Sequence, residues 1–418
     1  MFTLVVIMYI IFSMVIAFKD TDSAIVKGIK TVGIGKKGSR PLEAELISEI
    51  ISDLEGGGVN EAAKGAFFGA LIIKGVNSQE KKLLNYFCLD KLAGNVDAPI
   101  RKFCEKLANK EFLNVQESQE LGRFLLSEFP GDFVRGFVAS ILRVRYETAD
   151  EYEGLLNSLN ATIEKLFQEK PPEGAPIIQI AEPFDGCDHS NLITPLVADY
   201  LQKQNYRVVS LIGRNSGPKY GNNLFDLTRL LNAKMLTDVN QLTGAPMYGW
   251  NLDQKVMSSA MDRWVDIRHQ IIKRPFMATL ERFVNPVHAD ILIASAFHPG
   301  YGEKMMTIAQ RAGFRGAIII RNGLEGSLAF PLIRSAKVLC GFRRTDSSYQ
   351  TEEFDFSAET ILDAKVTLEE KLDNPSLEKN AQLIQQFRKD GKTDYELFDS
   401  RVKVTCAGLT KALECLQL

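Results

Sequence analysis

The sequence predicts a two-part chain: an N-terminal all-helical domain, read as duplicated, followed by a larger α/β domain with a mainly parallel sheet. Three observations carry this. From Pro41 to about residue 165, apolar residues recur at helical spacing with no strand-like run between them. From Ala175 onward, short apolar runs alternate with amphipathic stretches, the pattern of strands joined by crossover helices. Finally, Gly65, Leu71, Lys74 and Glu80 have counterparts in Gly136, Leu142, Arg145 and Glu151, as KGVNSQEKKLL has in RYETADEYEGLL. At 418 residues and 45% hydrophobic composition the chain can bury more than one core.

The elements follow in order. Residues 1–18 are apolar and uncharged and have two readings. One is a membrane anchor, with lysines 19, 27, 30, 36 and 37 after it holding the body in the cytoplasm; the other is a start codon assigned too far upstream of Met8, Met14 or a later residue. Residues 1–24 are set apart on this ground, and 26–40 form a basic, glycine-rich stretch without hydrophobic period. Pro41 opens a helix whose Leu42, Leu46, Ile50, Ile51 and Leu54 share a face, ended by Gly56–Gly58. A second helix covers 61–74, and Ser78 is the expected N-cap of a third burying Leu83, Leu84 and Phe87. The first helical unit spans 25–88, the second unit and its linker 89–170, with KPPEG closing it. In the α/β domain, 171–418, strands are expected at 177–181, 207–212, 290–295 and 316–321, and helices at 191–204, 225–231, 263–272 and 301–312. Residues 345–418 read as charged and helical.

Composition removes several functions. Fifty basic against 52 acidic residues leave a formal charge of −2, so no global field points to nucleic acid, and any basic surface is local. The six cysteines are scattered without a C-x-x-C pair, and four histidines without ligand spacing make a structural zinc site a poor fit. In a parallel sheet, ligands sit beyond the carboxyl ends of the strands, so the loops at 182–190, 213–223, 296–300 and 322–327 are where chemistry is expected.

Three stretches carry a family resemblance. GIGKKGSRPLEAELISEIISDLEGGGVNEAAKGAFFGALIIKG, KRPFMATLERFVNP after Arg268, and GFRGAIIIRNGLEGS are similar, in order and spacing, to segments of the anthranilate phosphoribosyltransferases and their paralogues in glycosyltransferase family 3. The resemblance spans about 25–345 with one insertion, the second helical unit. It implies a homodimer through the helical domain and a ligand cleft over the sheet. In that family a G-T-G-G-D-G loop cradles the pyrophosphate of phosphoribosyl pyrophosphate, because glycines let backbone N–H groups approach phosphate oxygens. Here the loop falls on Ala181–Gly186, where only Asp185 and Gly186 match. Pro183 removes a donor, Phe184 fills space and Glu182 adds a negative charge. Asn191 and Thr194 match an N-x-S-T motif. Of a K-H-G-N-R segment only Gly213 is kept, beside the donors Arg214, Asn215 and Lys219. Of the acidic pair that holds magnesium, Glu325 remains and Gly326 replaces its partner. Arg268 matches the arginine that meets the anthranilate carboxylate, while Asp188 and His189 lie in the loop for acid–base work.

The resemblance therefore implies a divergent paralogue with altered pyrophosphate and magnesium motifs, without anthranilate phosphoribosyltransferase activity. A paralogue group sharing the GKKGSR stretch and the Glu-Gly loop resembles nucleic-acid binders. It makes DNA or RNA an expected partner, contacted by Lys27, Lys30, Lys36, Lys37 and Arg40. The alternative is an active pentosyltransferase whose altered loops are fitted to another acceptor or donor, with magnesium required if it is active and phosphoribosyl pyrophosphate one candidate ligand. On a dimer, an enclosed cleft lined by Asp185, Asn191 and Glu325 favours catalysis, and one continuous basic groove favours nucleic-acid binding.

Overall fold

The computed structural model describes residues 19, 21–35, 38–94, 96–296, 299–344, 348–363, 366–367 and 371–416. The apolar stretch 1–18 and the candidates Lys36 and Lys37 lie outside them. Among the described residues, no helix is long and apolar enough to cross a membrane.

The N-terminal part is helical throughout: α1 (Ala24–Val32), α2 (Ala44–Glu55), α3 (Glu61–Lys74), α4 (Leu89–Ala93), α5 (Ala98–Ala108), α6 (Val115–Leu126), α7 (Asp132–Arg145) and α8 (Ala149–Asn160). α2 starts three residues after Pro41 because the Leu42 N–H donates to the Glu80 carboxylate (2.9 Å), which holds the chain before the helix begins. The expected third helix is a 3-10 segment, Glu80–Tyr86, with Gln79 and not Ser78 at its N-cap; the Glu80 N–H donates to Asn77 Oδ1 (2.9 Å). Leu83 is buried there, but Leu84 is exposed.

The two helical units repeat at an offset of 71 residues, and the contacts repeat with them. Lys74 pairs with Glu80 at 2.7 Å, and Arg145 with Glu151 at 2.7 Å. Leu42 N–H donates to Glu80, and Leu113 N–H to Glu151 (3.1 Å). Where the units meet, α3 packs on α7 through facing glycines. A Cβ on Gly65 would lie 1.9 Å from the Phe133 carbonyl oxygen, and one on Gly136 would lie 1.9 Å from that of Ala62. Positions 62 and 133, like 65 and 136, are themselves repeat partners. The contact is thus reciprocal about an internal twofold, the form of an isologous interface, made within one chain.

The α/β part carries a seven-stranded sheet in the order β3-β2-β1-β4-β5-β6-β7. Its strands are β1 (Ile177–Ala181), β2 (Arg207–Ile212), β3 (Trp250–Asp253), β4 (Ile291–Ser295), β5 (Gly316–Ile320), β6 (Ala336–Arg343) and β7 (Tyr349–Phe356). The first five are parallel, and β6 and β7 return antiparallel. β1, β4 and β5 are buried along their whole length, as strands covered on both faces must be. Crossovers are α9 (Thr194–Lys203), α10 (Leu224–Leu230), the short α11 (Gln254–Met257), α12 (Ser259–Ile271), α13 (Met277–Leu280) and α14 (Gly302–Arg311). Beyond β7 come α15 (Glu359–Leu362), α16 (Leu377–Asp390) and α17 (Glu396–Leu416). Part of the region expected to be helical is therefore the strand β7. From Thr351 its residues alternate in exposure, so Glu353 and Asp355 face outward from an edge strand while Phe354 and Phe356 lie on the opposite face.

The second helical unit is keyed to the α/β part. Trp264 Nε1 donates to the Leu125 carbonyl (3.0 Å), Lys304 pairs with Glu147 (2.9 Å), and Arg311 pairs with Glu153.

Candidate functional site

A cleft of about 680 Å³ opens between the carboxyl ends of β1, β4 and β5 and the ends of α7 and α8. The helical wall is supplied by the second unit, through Arg143, Glu147 and Tyr152. The opposite walls come from the loops after β1, β4 and β5 and from α13 and α14. Phe184, Pro275, Ala278, Tyr301, Met305 and Ile333 give it an apolar lining.

The loop after β1 is filled by its own side chains. Glu182 is buried and accepts from Thr194 Oγ1 (2.5 Å) and the Leu328 N–H (2.8 Å). Burial pushes its carboxyl up, and those two hydrogen bonds together with the Arg282 charge pull the other way. The Phe184 ring lies against Gly213, where a Cβ would come within 2.8 Å of it. Gly186 has φ +75 and its Cβ would meet the Gly221 and Asn222 carbonyl oxygens at 2.4 Å, so the position demands glycine for close backbone approach. Asp185, buried, takes hydrogen bonds from Arg274 at 2.5 Å.

The remaining expected residues divide. Arg268, Asp185, Lys219, His189 and Glu325 line the cleft. Gly186, Asn191, Thr194, Gly213, Arg214 and Asn215 are not part of its lining. Thr194 is spent on Glu182. Arg214 grips Asp262 (2.8 Å) and Asp266 (2.9 Å) on α12, and Asn215 donates to the Gly221 carbonyl (2.7 Å) within its own loop. Arg268 is buried, and its guanidinium donates to Glu281 (2.7 Å) and to the Gly217 carbonyl (3.0 Å). His189 Nδ1 lies 2.9 Å from the Leu372 carbonyl, which fixes the ring.

Glu325 closes one end. It takes hydrogen bonds from Lys219 Nζ (2.6 Å), the His189 N–H (2.8 Å), Ser190 Oγ (3.1 Å) and the Asp188 N–H (3.3 Å). Burial alone would raise its carboxyl, but the Lys219 ammonium and these N–H donors outweigh that and hold it below the usual range. A carboxylate so surrounded presents donors, where a magnesium ion needs several oxygens. Among the described residues, no group of three or more His, Cys, Asp or Glu side chains is placed to hold a metal ion.

Charge in the cleft is unbalanced. Arg143, Lys219, Arg268, Arg274, Arg282, Arg334 and Lys371 face Glu147, Asp185, Glu281 and Glu325, seven basic groups against four acidic. Arg274, Arg143, Tyr152 and Tyr301 were not singled out by the sequence. Arg274 and Arg143 meet partners far along the chain, Asp185 and Tyr301, so no local pattern marks them.

A helical domain packs on a mostly parallel sheet, with a cleft at the strand ends where the two meet. This is the fold of the anthranilate phosphoribosyltransferases. The Thermus thermophilus enzyme superposes with a TM-score of 0.54 at 18% identity, over 75% of this chain and 94% of that one. The Saccharomyces cerevisiae enzyme in complex with phosphoribosyl pyrophosphate and magnesium gives 0.58 at 15% identity, over 77% and 89%. An uncharacterized protein of Aquifex aeolicus (strain VF5) is 20% identical over 233 residues, 56% of this chain and 70% of its own length. No family model matches the chain.

Proposed function

We propose that this chain is a divergent paralogue of the anthranilate phosphoribosyltransferases that binds a small anionic molecule in the cleft and does not transfer phosphoribosyl groups from the magnesium complex of phosphoribosyl pyrophosphate. One observation carries the reading: the turn after β1, which in this fold would have to offer bare backbone N–H groups to a pyrophosphate, is occupied by Glu182 and Phe184. The excess of basic groups and the apolar walls support an anion with an apolar body, of a size that a 680 Å³ cleft admits.

Nucleic-acid binding is the second reading, resting on the basic stretch before α2. Of its described residues, Lys27 pairs with Glu49 (3.8 Å) and Lys30 with Asp22 (2.5 Å), which leaves Arg40 exposed. Two neutral pairs and one arginine make a weaker phosphate surface than the cleft.

Calorimetry with phosphoribosyl pyrophosphate and magnesium is expected to show no binding tighter than about 1 mM, a free energy of roughly −4 kcal/mol. Micromolar binding would overturn the reading and restore the transferase. A fluorescent single-stranded oligonucleotide, titrated at about 50 and about 200 mM salt, decides the second reading: tight binding that weakens steeply with salt favours nucleic acid.

A further inference from the structure

We propose that Arg143, from the second helical unit, is the residue that receives the ligand's anionic group, a carboxylate or a phosphate. The proposal rests on the cleft being an anion site and names which of its cations is available.

Most of the cations around the cleft are already engaged. Lys219 is held by Glu325, Arg268 by Glu281 and Arg274 by Asp185, while buried Arg282 donates to the Ser295 carbonyl (3.0 Å). Arg143 differs. It is half-buried on the cleft wall and donates to a neutral group, the Tyr301 hydroxyl (3.0 Å); among the described residues it has no carboxylate partner. The nearby acid, Glu147, is spent on Lys304 Nζ (2.9 Å) and the Tyr152 hydroxyl (2.8 Å). A guanidinium with spare donors on an apolar wall suits a planar, two-oxygen anion, and Tyr152, Tyr301 and Met305 beside it suit the anion's apolar body.

The repeat supplies independent support. At the offset of 71, the residues that hold each helical unit together are retained, namely Gly65 and Gly136, Lys74 and Arg145, Glu80 and Glu151. The three that face the cleft are not: Arg143, Glu147 and Tyr152 stand where the first unit has Ile72, Val76 and Lys81. Ile72 is in a unit that contributes nothing to the cleft lining. The difference between two copies of one scaffold thus falls on the wall of the site. Tyr146 adds to it. It has φ +68 in the position where the first unit has Gly75 at φ +94, so the second unit accepts a disfavoured backbone angle beside Arg143 and Glu147.

The test uses the full chain and three probes that share one apolar body: 2-naphthoate, 2-naphthyl phosphate and uncharged 2-naphthol. Wild-type protein is expected to bind at least one anion about ten-fold or more tightly than naphthol. Arg143→Leu is expected to lose that preference, weakening the anion about 10- to 100-fold with naphthol unchanged, and Arg143→Lys is expected to restore part of it. The stronger of the two anions tells carboxylate from phosphate. If wild type prefers neither anion to naphthol, the anion-site reading itself fails and takes the proposal with it. If wild type prefers an anion and Arg143→Leu keeps the preference while its thermal unfolding matches wild type, the anion site stands and the assignment to Arg143 is overturned. Should Arg143→Leu not fold, Arg143→Lys and Arg143→Gln are compared by the same ratio, and an unaltered ratio in both overturns the assignment.

Discussion

Replacing Lys273 with methionine is expected to stabilise the protein by about 2–4 kcal/mol at neutral pH, an unusual sign for removing a buried polar group. The Lys273 amine is buried and donates to Ser140 Oγ (2.9 Å), with no carboxylate partner among the described residues. Burial first, and the Arg143 charge second, push it from the ordinary 10.5 down to about 7. In the unfolded chain the amine titrates near 10.4, roughly three units higher, which corresponds to a cost on the order of 4 kcal/mol when the group is charged. The sign follows from proton counting. Between about pH 7 and 10 the unfolded chain binds more protons at this site than the folded one, so stability rises with pH. Below about 7 both states carry the proton and the full cost of burying the charge is felt. Losing the bond to Ser140 takes back about 1 kcal/mol. Urea unfolding at about pH 6, 7.5 and 9 reads the result: the gap between variant and wild type narrows as pH rises. Parallel curves at all three pH values would sink the assignment of Lys273 as a buried, proton-releasing amine.

Glu151→Ala is expected to cost about 3–5 kcal/mol, and Glu80→Ala a similar amount, because each removes the acid from a buried pair and strands a cation. Glu151 is 1% exposed and Glu80 0%, and each also accepts two backbone N–H groups. These are Leu113 and Thr148 in one unit, Leu42 and Asn77 in the other. Losing such a carboxylate unties the chain entering one helix from the chain leaving another. Thermal unfolding followed by circular dichroism checks this, and pairing each change with Arg145→Met or Lys74→Met is expected to recover part of the loss. A loss under about 0.5 kcal/mol at one site only would mean that the two units, alike in geometry, are not alike in energetics.

The strands legible in the sequence were those whose apolar runs are long and buried on both faces, such as AIII in β5. β3 was missed because WNLD is four residues long and half polar. β7 was missed because Glu352, Glu353 and Asp355 give this edge strand the charged texture of a helix surface, and β6, though its VLCGF run is buried, was not read as a strand. At the site, the four loops expected at the strand ends all contribute residues to the cleft lining. Position along the chain could not say where side chains point. Thr194 and Asn215 carry suitable donors, yet Thr194 serves Glu182 and Asn215 serves the carbonyl of Gly221. The partners that decide such matters stand up to 183 residues apart, as His189 does from Leu372, and no window on the sequence spans that.

The glycine contact between α3 and α7 has a consequence for how this molecule can change. Two identical subunits meeting across an axis must carry the same residue on both sides, so every substitution is imposed twice. Joining the halves in one polypeptide lifts that constraint. One half is free to keep the scaffold while the other is altered position by position, and a cation can stand at 143 while an isoleucine stays at 72.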